Sequence, residues 1–370
     1  MSIRVKKKIT IMAPLVSLTL IVASCSMMKD DRTDCPDCRN PLHVTLRYDY
    51  NTMRANMFSD HVEEATVYVV DAETGNVVDQ QTAQNSTTEQ PLRNPSFGFN
   101  FEGLTPGNYR LYATGRSQAD QPFNIVTPAI AEAISKLQFS VPVSTVNGLA
   151  TEGTQEWSTA DGLRLDTLWN TLQPIDIVLP ESEPVEATIP LMRLTNDLNV
   201  MVFHRDTPAD NGHERYDVSV TDETTKLSYD NEPAAGETAS LTYRPFAAWT
   251  TETTVPGNNG TDSIAERNAH YDLSLFRLIS HSDTRHNPRL IISNRETGRE
   301  VVNVDLCYYL ALARNAYELQ HYSQQEYLDR EYDYRLDFGF EGSGNQEKWK
   351  TMTISINVLS WSIRIQNEEL

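Results

Sequence analysis

The residues able to do chemistry in this 370-residue chain are four cysteines, eight histidines and a large excess of carboxylates. Two of the cysteines form a C-x-x-C pair, Cys35-Pro36-Asp37-Cys38. That spacing suits half of a zinc site, a redox couple or a disulfide. A closed zinc site needs four ligands, and no second C-x-x-C or H-x-H pair exists. A redox pair opens a helix after a strand, whereas this pair sits in a polar linker just before one. The pair therefore reads as a disulfide made outside the cytoplasm, either Cys35 with Cys38 or one of them with Cys307. No histidine belongs to an H-E-x-x-H motif, and no G-x-S-x-G elbow, P-loop or G-x-G-x-x-G is present. Gly339–Gly344 reads as a hairpin loop, because a phosphate cradle needs a helix after it. Asp71, Glu73 and Asn76 could meet a calcium ion, but they lack the spaced ligands of an EF-hand and read as a hairpin turn. Paired carboxylates carry no weight in a chain with 51 acidic residues. No catalytic residue, metal or cofactor is expected.

The fourth cysteine, Cys25, has a different setting. Arg4, Lys6, Lys7 and Lys8 form a positive start, and an apolar stretch runs from Ile9 to Ala23. It is too short for a membrane span and has the layout of a secretory signal. Its end, Leu20-Ile21-Val22-Ala23-Ser24-Cys25, resembles a bacterial lipobox. The resemblance implies cleavage between Ser24 and Cys25 and a diacylglycerol thioether on Cys25. The competing readings are an ordinary signal peptide with an incidental cysteine, or a signal anchor. Ser26 is not the Asp that retains lipoproteins in the inner membrane. Lys29-Asp30-Asp31 resembles the surface-export signal of Bacteroidetes lipoproteins, and reads otherwise as a solvated linker. Loss of residues 1–24 removes four positive charges and takes the formal charge from −20 to −24. A body that acidic is repelled by anionic lipid, so an acyl anchor rather than a basic patch must hold it to a membrane. The same charge excludes broad nucleic-acid binding.

The elements that follow are short strands. His43–Tyr50 alternates with its apolar residues at even positions, and Glu64–Asp71 with Val77-Val78 makes a hairpin around Glu73-Thr74-Gly75. Phe97–Phe101 alternates too. The phrase Leu104-Thr105-Pro106-Gly107-Asn108-Tyr109 suits a type II turn of a hairpin, with Tyr109, Leu111 and Ala113 on one face. Ala129–Leu137 reads as a short helix, 146–161 as loop, and Ile175–Leu179 as a strand. Pro180–Pro184 is acidic and proline-bearing, and places a boundary there. The second half repeats the pattern from Ala187 onward, with Leu306–Leu319 as its best helix and closing strands at Glu331–Phe340 and Thr351–Ser360. Strands every 8–12 residues with few helices predict an all-β chain of two tandem Greek-key sandwiches. The expected organisation is signal peptide 1–24, lipidated linker 25–41, first sandwich 42–184 and second sandwich 185–370. Sixteen tyrosines suggest a glycan-stacking platform, but their alternating positions suit core packing better.

Taken in order, these motifs resemble a known family. They are the lipobox, Asp34-Cys35-Pro36, Tyr48-Asp49-Tyr50-Asn51, Val67–Asp71, the Leu104–Tyr109 turn, Met192-Arg193-Leu194, and Ile354–Asn357 with Trp361. Together they are similar to the fimbrillin-associated anchor lipoproteins of Bacteroidales (FimB/Mfa type). One departure is that the family's Asn-Gly-Trp ending is here Asn357-Val358-Leu359-Ser360-Trp361. The resemblance implies two transthyretin-like sandwiches, held at the outer membrane by lipid. It further implies partnership with fimbrial shaft or accessory subunits by strand complementation, anchoring of the fimbrial base and a limit on fimbrial length. A glycan-binding lipoprotein of a nutrient-uptake system and a fimbrial tip adhesin are the alternatives.

Overall fold

The computed structural model describes residues 42–118, 121–145, 155–159, 162–181, 183–234, 239–256, 263–358 and 361–369. The first run of elements is β1 (Leu42–Arg47), helix α1 (Phe58–His61), β2 (Glu64–Asp71), β3 (Val77–Gln84), β4 (Phe99–Phe101) and β5 (Gly107–Arg116). An excursion carries β6 (Asn124–Val126), β7 (Gln138–Ser140), β8 (Ser144–Thr145) and β9 (Gln155–Ser158). The chain returns through β10 (Leu168–Thr171), β11 (Ile175–Leu179) and β12 (Val185–Arg193). Then come β13 (Thr195–His204), β14 (Tyr216–Asp222), β15 (Lys226–Ser228), β16 (Ala239–Tyr243), β17 (Ala247–Pro256) and β18 (Ser263–Phe276). β19 (Arg289–Asn294) and β20 (Glu300–Asp305) lead into helices α2 (Leu306–Ala311), α3 (Ala316–His321) and α4 (Gln324–Arg330). β21 (Asp333–Glu341), β22 (Lys348–Val358) and β23 (Trp361–Glu369) close the fold.

In the first unit the strand order is β3-β2-β5-β10-β12-β1-β4, with β11 also beside β5. β12 serves two neighbours. Its first part lies parallel to β1 from Leu42↔Val185 to Arg47↔Pro190, and its end pairs antiparallel with β10. That switch folds the sheet over an apolar core in which Leu42, Val44, Val67, Leu111 and Ile189 are fully buried. The period-two reading of β1 is correct, since Leu42, Val44 and Leu46 point in and His43 and Thr45 do not. Trp169 lies in this core, edge-on to Tyr48 at 5.9 Å.

The second unit has two six-stranded sheets, β17-β18-β13-β21-β22-β23 and β20-β19-β14-β16-β9-β8. The second of these takes its last two strands from the excursion in the first half of the chain. β9 pairs parallel with β16, from Ala239↔Gln155 to Thr242↔Ser158. A three-stranded sheet, β15-β7-β6, joins the units again through Leu227↔Phe139. One continuous core therefore holds Tyr68 and Phe139 from the first half and Leu198, Leu227 and Phe276 from the second. Sandwich architecture agrees with the sequence reading, and the two sandwiches share strands and core. Sheet membership changes at Leu194, one strand later than the boundary expected from Pro180–Pro184.

Several local readings change. Residues 155–158 of the expected 146–161 loop are a strand, because β16 offers them a ladder. Ile134–Lys136 is a single 3-10 turn rather than part of a longer helix. The expected 306–319 helix stops at Ala311 and restarts at Ala316, where Asn315 caps α3 in a capping box with Glu318. α4 and β23 have no counterpart in the sequence reading. The Leu104–Tyr109 phrase is not a hairpin. β4 pairs with β1 and β5 with β2, so it crosses from one edge of the folded sheet to its other half. The left-handed residue there is Gly103, with φ 78°, and not Gly107. The Tyr109 hydroxyl donates to the Thr105 carbonyl at 2.6 Å and pins the corner.

The seam between the units is polar and aromatic. Arg330 lies 3.9 Å over the Tyr50 ring and 4.6 Å from that of Tyr322, while Arg54 lies 4.2 Å over Tyr317. Beside this stack Glu331, 3% exposed, accepts from the Thr52 hydroxyl at 2.7 Å and from the Tyr332 and Asp333 amides. Burial raises its carboxyl to about 7, against the lowering effect of those hydrogen bonds. Asp222 in β14 is likewise raised to about 7 by burial. A folded-state pKa above the unfolded one means that the folded chain holds a proton the unfolded chain releases. These two groups thus favour folding below about pH 4–5, and that contribution is lost as pH rises towards about 7. Glu331→Gln and Asp222→Asn should each gain stability relative to the parent chain between pH 5 and pH 8, measured by urea unfolding at both. An unchanged difference at the two pH values would show that neither carboxyl is protonated in the fold.

Candidate functional site

The residues with an assigned role in the sequence, Ser24, Cys25, Lys29, Asp30, Asp31, Cys35 and Cys38, lie outside the described residues. What the structure shows is how the chain enters from them. Leu42 begins β1, an interior strand with β12 on one side and β4 on the other. Any pull on the N-terminal segment therefore reaches a strand laddered on both sides, not a free edge. Of the two disulfide pairings, the one through Cys307 is not formed. Cys307 is a free thiol, fully buried at the start of α2 and 3.6 Å from the Ile279 carbonyl. Burial raises its pKa well above the usual thiol value, so it is inert.

The Asp71 turn holds its own backbone. Asp71 Oδ1 accepts from the Thr74 amide and hydroxyl, both at 2.8 Å, and from the Glu73 amide. Those bonds lower its pKa and leave it as a turn residue. Tyrosines are core residues as well: Tyr48, Tyr68, Tyr216, Tyr243, Tyr271, Tyr327 and Tyr334 are among the largest fully buried side chains.

Two features of the second unit face outward. One is the pair of sheet edges, β17 and β23, which end the sheet containing β13 and carry no further strand among the described residues. Unpaired edge backbone is the surface on which another strand can add. The other is a cleft of about 620 Å³ on the outer face of the same sheet. Register builds its floor. Trp249 of β17 lies opposite His270 of β18, which lies opposite Met201 of β13. The next row is Ala247, Asp272, Asn199 and Arg335 of β21. In the row beyond, Asp197 lies opposite Asp333. Trp249 stacks on His270 with centroids 5.0 Å apart and planes 7° apart. Asn199 donates to Asp272 at 2.6 Å, and Thr251 Oγ1 lies 2.9 Å from His270 Nε2. Arg164 enters from the segment before β10 and grips both oxygens of Asp197 at 2.9 and 3.0 Å. Burial raises the Asp272 carboxyl and lowers the His270 imidazole, so each leans towards its neutral form.

Sequence reading missed this cleft. Its residues are outward-facing positions of four strands spread over much of the chain, and only parallel pairing of β13 with β21 brings Asn199 beside Arg335. The one local signal was a tryptophan at an outward position of an alternating strand.

An all-β chain of two interlocked sandwiches, entered through an interior strand and ending in open sheet edges, belongs to the class of fimbria-associated and adhesin-like surface proteins. The chain is a member of the fimbrillin-A associated anchor proteins, the Mfa1 and Mfa2 family, whose model matches residues 32–367. Solved structures share the fold. A candidate adhesin of Bacteroides thetaiotaomicron is 22% identical with a TM-score of 0.66, over 89% of this chain and 99% of that one. A candidate polysaccharide-binding protein of the same organism is 21% identical with a TM-score of 0.63, over 88% of this chain and 98% of that one. The fimbrial anchor protein Mfa2 of Porphyromonas gingivalis is 16% identical with a TM-score of 0.56, over 89% of this chain and 100% of that one. A search of curated proteins found no match. The family is one of fimbrial anchor proteins. No helix among the described residues is long and apolar enough to cross a membrane.

Proposed function

We propose that this chain is a lipid-anchored protein of the outer membrane that holds the base of a fimbrium at the cell surface and limits its length. The observation that carries the reading is membership of the anchor family across residues 32–367. In this reading the signal peptide is removed between Ser24 and Cys25, acyl chains on Cys25 are the tether, and Lys29-Asp30-Asp31 directs export to the outer face. The entry through doubly paired β1 supports a load-bearing role, because it puts the tether on an interior strand. Fimbrial shaft or accessory subunits add a strand to an edge of the second unit, β17 or β23, which satisfies unpaired backbone on both partners.

The test compares cells carrying the native chain with cells carrying Cys25→Ala. The major fimbrial subunit is assayed in cell and medium fractions, and fimbrial length is measured by microscopy. Release of fimbriae into the medium, or their lengthening, is expected. Fimbriae that stay attached at unchanged length would rule out the tether.

A further inference from the structure

We propose that the cleft on the outer face of the second unit is a binding site for a neutral saccharide, with Trp249 as the stacking platform and Asp272, Asn199 and Arg335 as the hydroxyl-binding floor. The proposal does not depend on the anchor reading. It rests on the fit between the cleft and the two unlike surfaces of a pyranose ring, which are an apolar C–H face and a rim of hydroxyls.

The apolar face needs a flat wall that does not move. Trp249 supplies one. It is 38% exposed, yet its ring is fixed by the parallel stack on His270, which Thr251 in turn holds. An exposed tryptophan alone would be ordinary. Here it lines the cleft, and its same-face neighbour on β17 is Ala247, the smallest side chain in its row. A larger residue there would fill the space beside the indole.

The hydroxyl rim needs acceptors and donors side by side, since each hydroxyl both gives and takes a hydrogen bond. The row of Ala247 provides them in register: a carboxyl at Asp272, an amide at Asn199 and a guanidinium at Arg335. The Asn199–Asp272 hydrogen bond and the Arg335–Asp337 ion pair, at 2.7 Å, hold these groups in place before any ligand arrives. Preorganisation of this kind lowers the cost of binding. The size, about 620 Å³, is that of a small-molecule site.

Charge selects a neutral sugar. Asp197 is neutralised within the protein by Arg164 and by Arg193 at 2.7 Å. The cleft therefore offers no free cluster of cations to an acidic sugar, and the chain as a whole carries −20. Uronic or sulfated polymers are repelled at long range. A peptide strand added to the β17 edge would be held by backbone bonds instead, and would not require Ala247 or Asp272.

The experiment uses the full chain in detergent and a panel of neutral gluco-, manno- and galacto-oligosaccharides, with acidic oligosaccharides alongside. Binding is read by calorimetry and by tryptophan fluorescence. At least one neutral series is expected to bind saturably, with a shift in emission. Trp249→Ala and Asp272→Asn should each weaken binding about tenfold or more. Ala247→Arg closes the hollow without removing any core group and should abolish binding, while Tyr308→Ala, a change at an exposed aromatic on α2, should leave it intact. Circular dichroism confirms that each variant is folded. The proposal fails if no neutral member of the panel binds, if only acidic members bind, or if binding survives both Trp249→Ala and Ala247→Arg.

Discussion

Glu347→Ala is expected to destabilise the protein by about 3–5 kcal/mol, enough to unfold a marginal domain at moderate temperature. Glu347 follows the single 3-10 turn between β21 and β22 and is 0% exposed. Its Oε1 accepts from the Tyr216 hydroxyl and from Arg215 Nη2, both at 3.0 Å, and its Oε2 accepts from Asn294 Nδ2 at 2.5 Å. His204 Nε2 lies 3.6 Å away. His204 belongs to the sheet of β13, β21 and β22, and Tyr216 and Asn294 to the facing sheet, so one carboxylate ties the two sheets together. Burial works against the charge, but the nearby His204 ring, the hydrogen bond from Asn294 and the charge of Arg215 outweigh it, and the pKa falls below the usual value. A depressed carboxyl stabilises above its unfolded pKa, and that stability is lost as pH falls through the folded value. Alanine leaves an arginine, a hydroxyl and an amide without their partner in a closed space. Glu347→Gln keeps most of the shape and loses the charge, so its cost should be smaller. Urea unfolding at pH 7 measures both, and a loss under about 1 kcal/mol for the alanine variant would show that the network is not a structural tie.

The second large effect is mechanical. Under the proposed tether, load enters at the N-terminal end of β1 and leaves through the second unit. β12 lies parallel to β1 and runs through Leu194 into β13. The load then pulls β1 towards its start and β12 towards its end, along the strands. Such shear stresses all the ladder bonds between them at once, whereas a pull across an edge opens a ladder one bond at a time. Pulling between the N-terminus and a second-unit handle at Leu319→Cys should therefore rupture at markedly higher force than pulling from Val78→Cys on β3 to the same handle. Among the described strands β3 ends its sheet and pairs with β2, with two further backbone bonds from Val77 to Ala131 and Glu132. Val44→Pro should collapse the difference, because Val44 is fully buried and sits between Ala187 and Phe99 in an interior strand, where proline removes a ladder donor. Equal forces for the two directions in the parent chain would sink the idea of a shear clamp.

Much of the secondary structure was legible because strands advertise themselves by alternation. Leu42, Val44 and Leu46 had to face one way and His43 and Thr45 the other, and Tyr109, Leu111 and Ala113 had to share a buried face. The Asp71–Asn76 turn was readable from its own short-range hydrogen-bond chemistry. The failures share a cause. β9 is a strand because β16 lies beside it, and α3 starts as a separate helix because Asn315 caps it. The cleft stayed hidden because Asn199, Asp272 and Arg335 are separated in sequence and adjacent only through pairing.

By itself the sequence determined the all-β class, the strand faces and the family, since periodicity, turn residues and motif order are properties of neighbours along the chain. Tertiary structure alone decided that the two sandwiches interlock, that Cys307 is sealed in the core, and that one carboxylate joins two sheets. Each of these depends on contacts between distant residues, whose loop-closure cost is repaid only when the whole core forms.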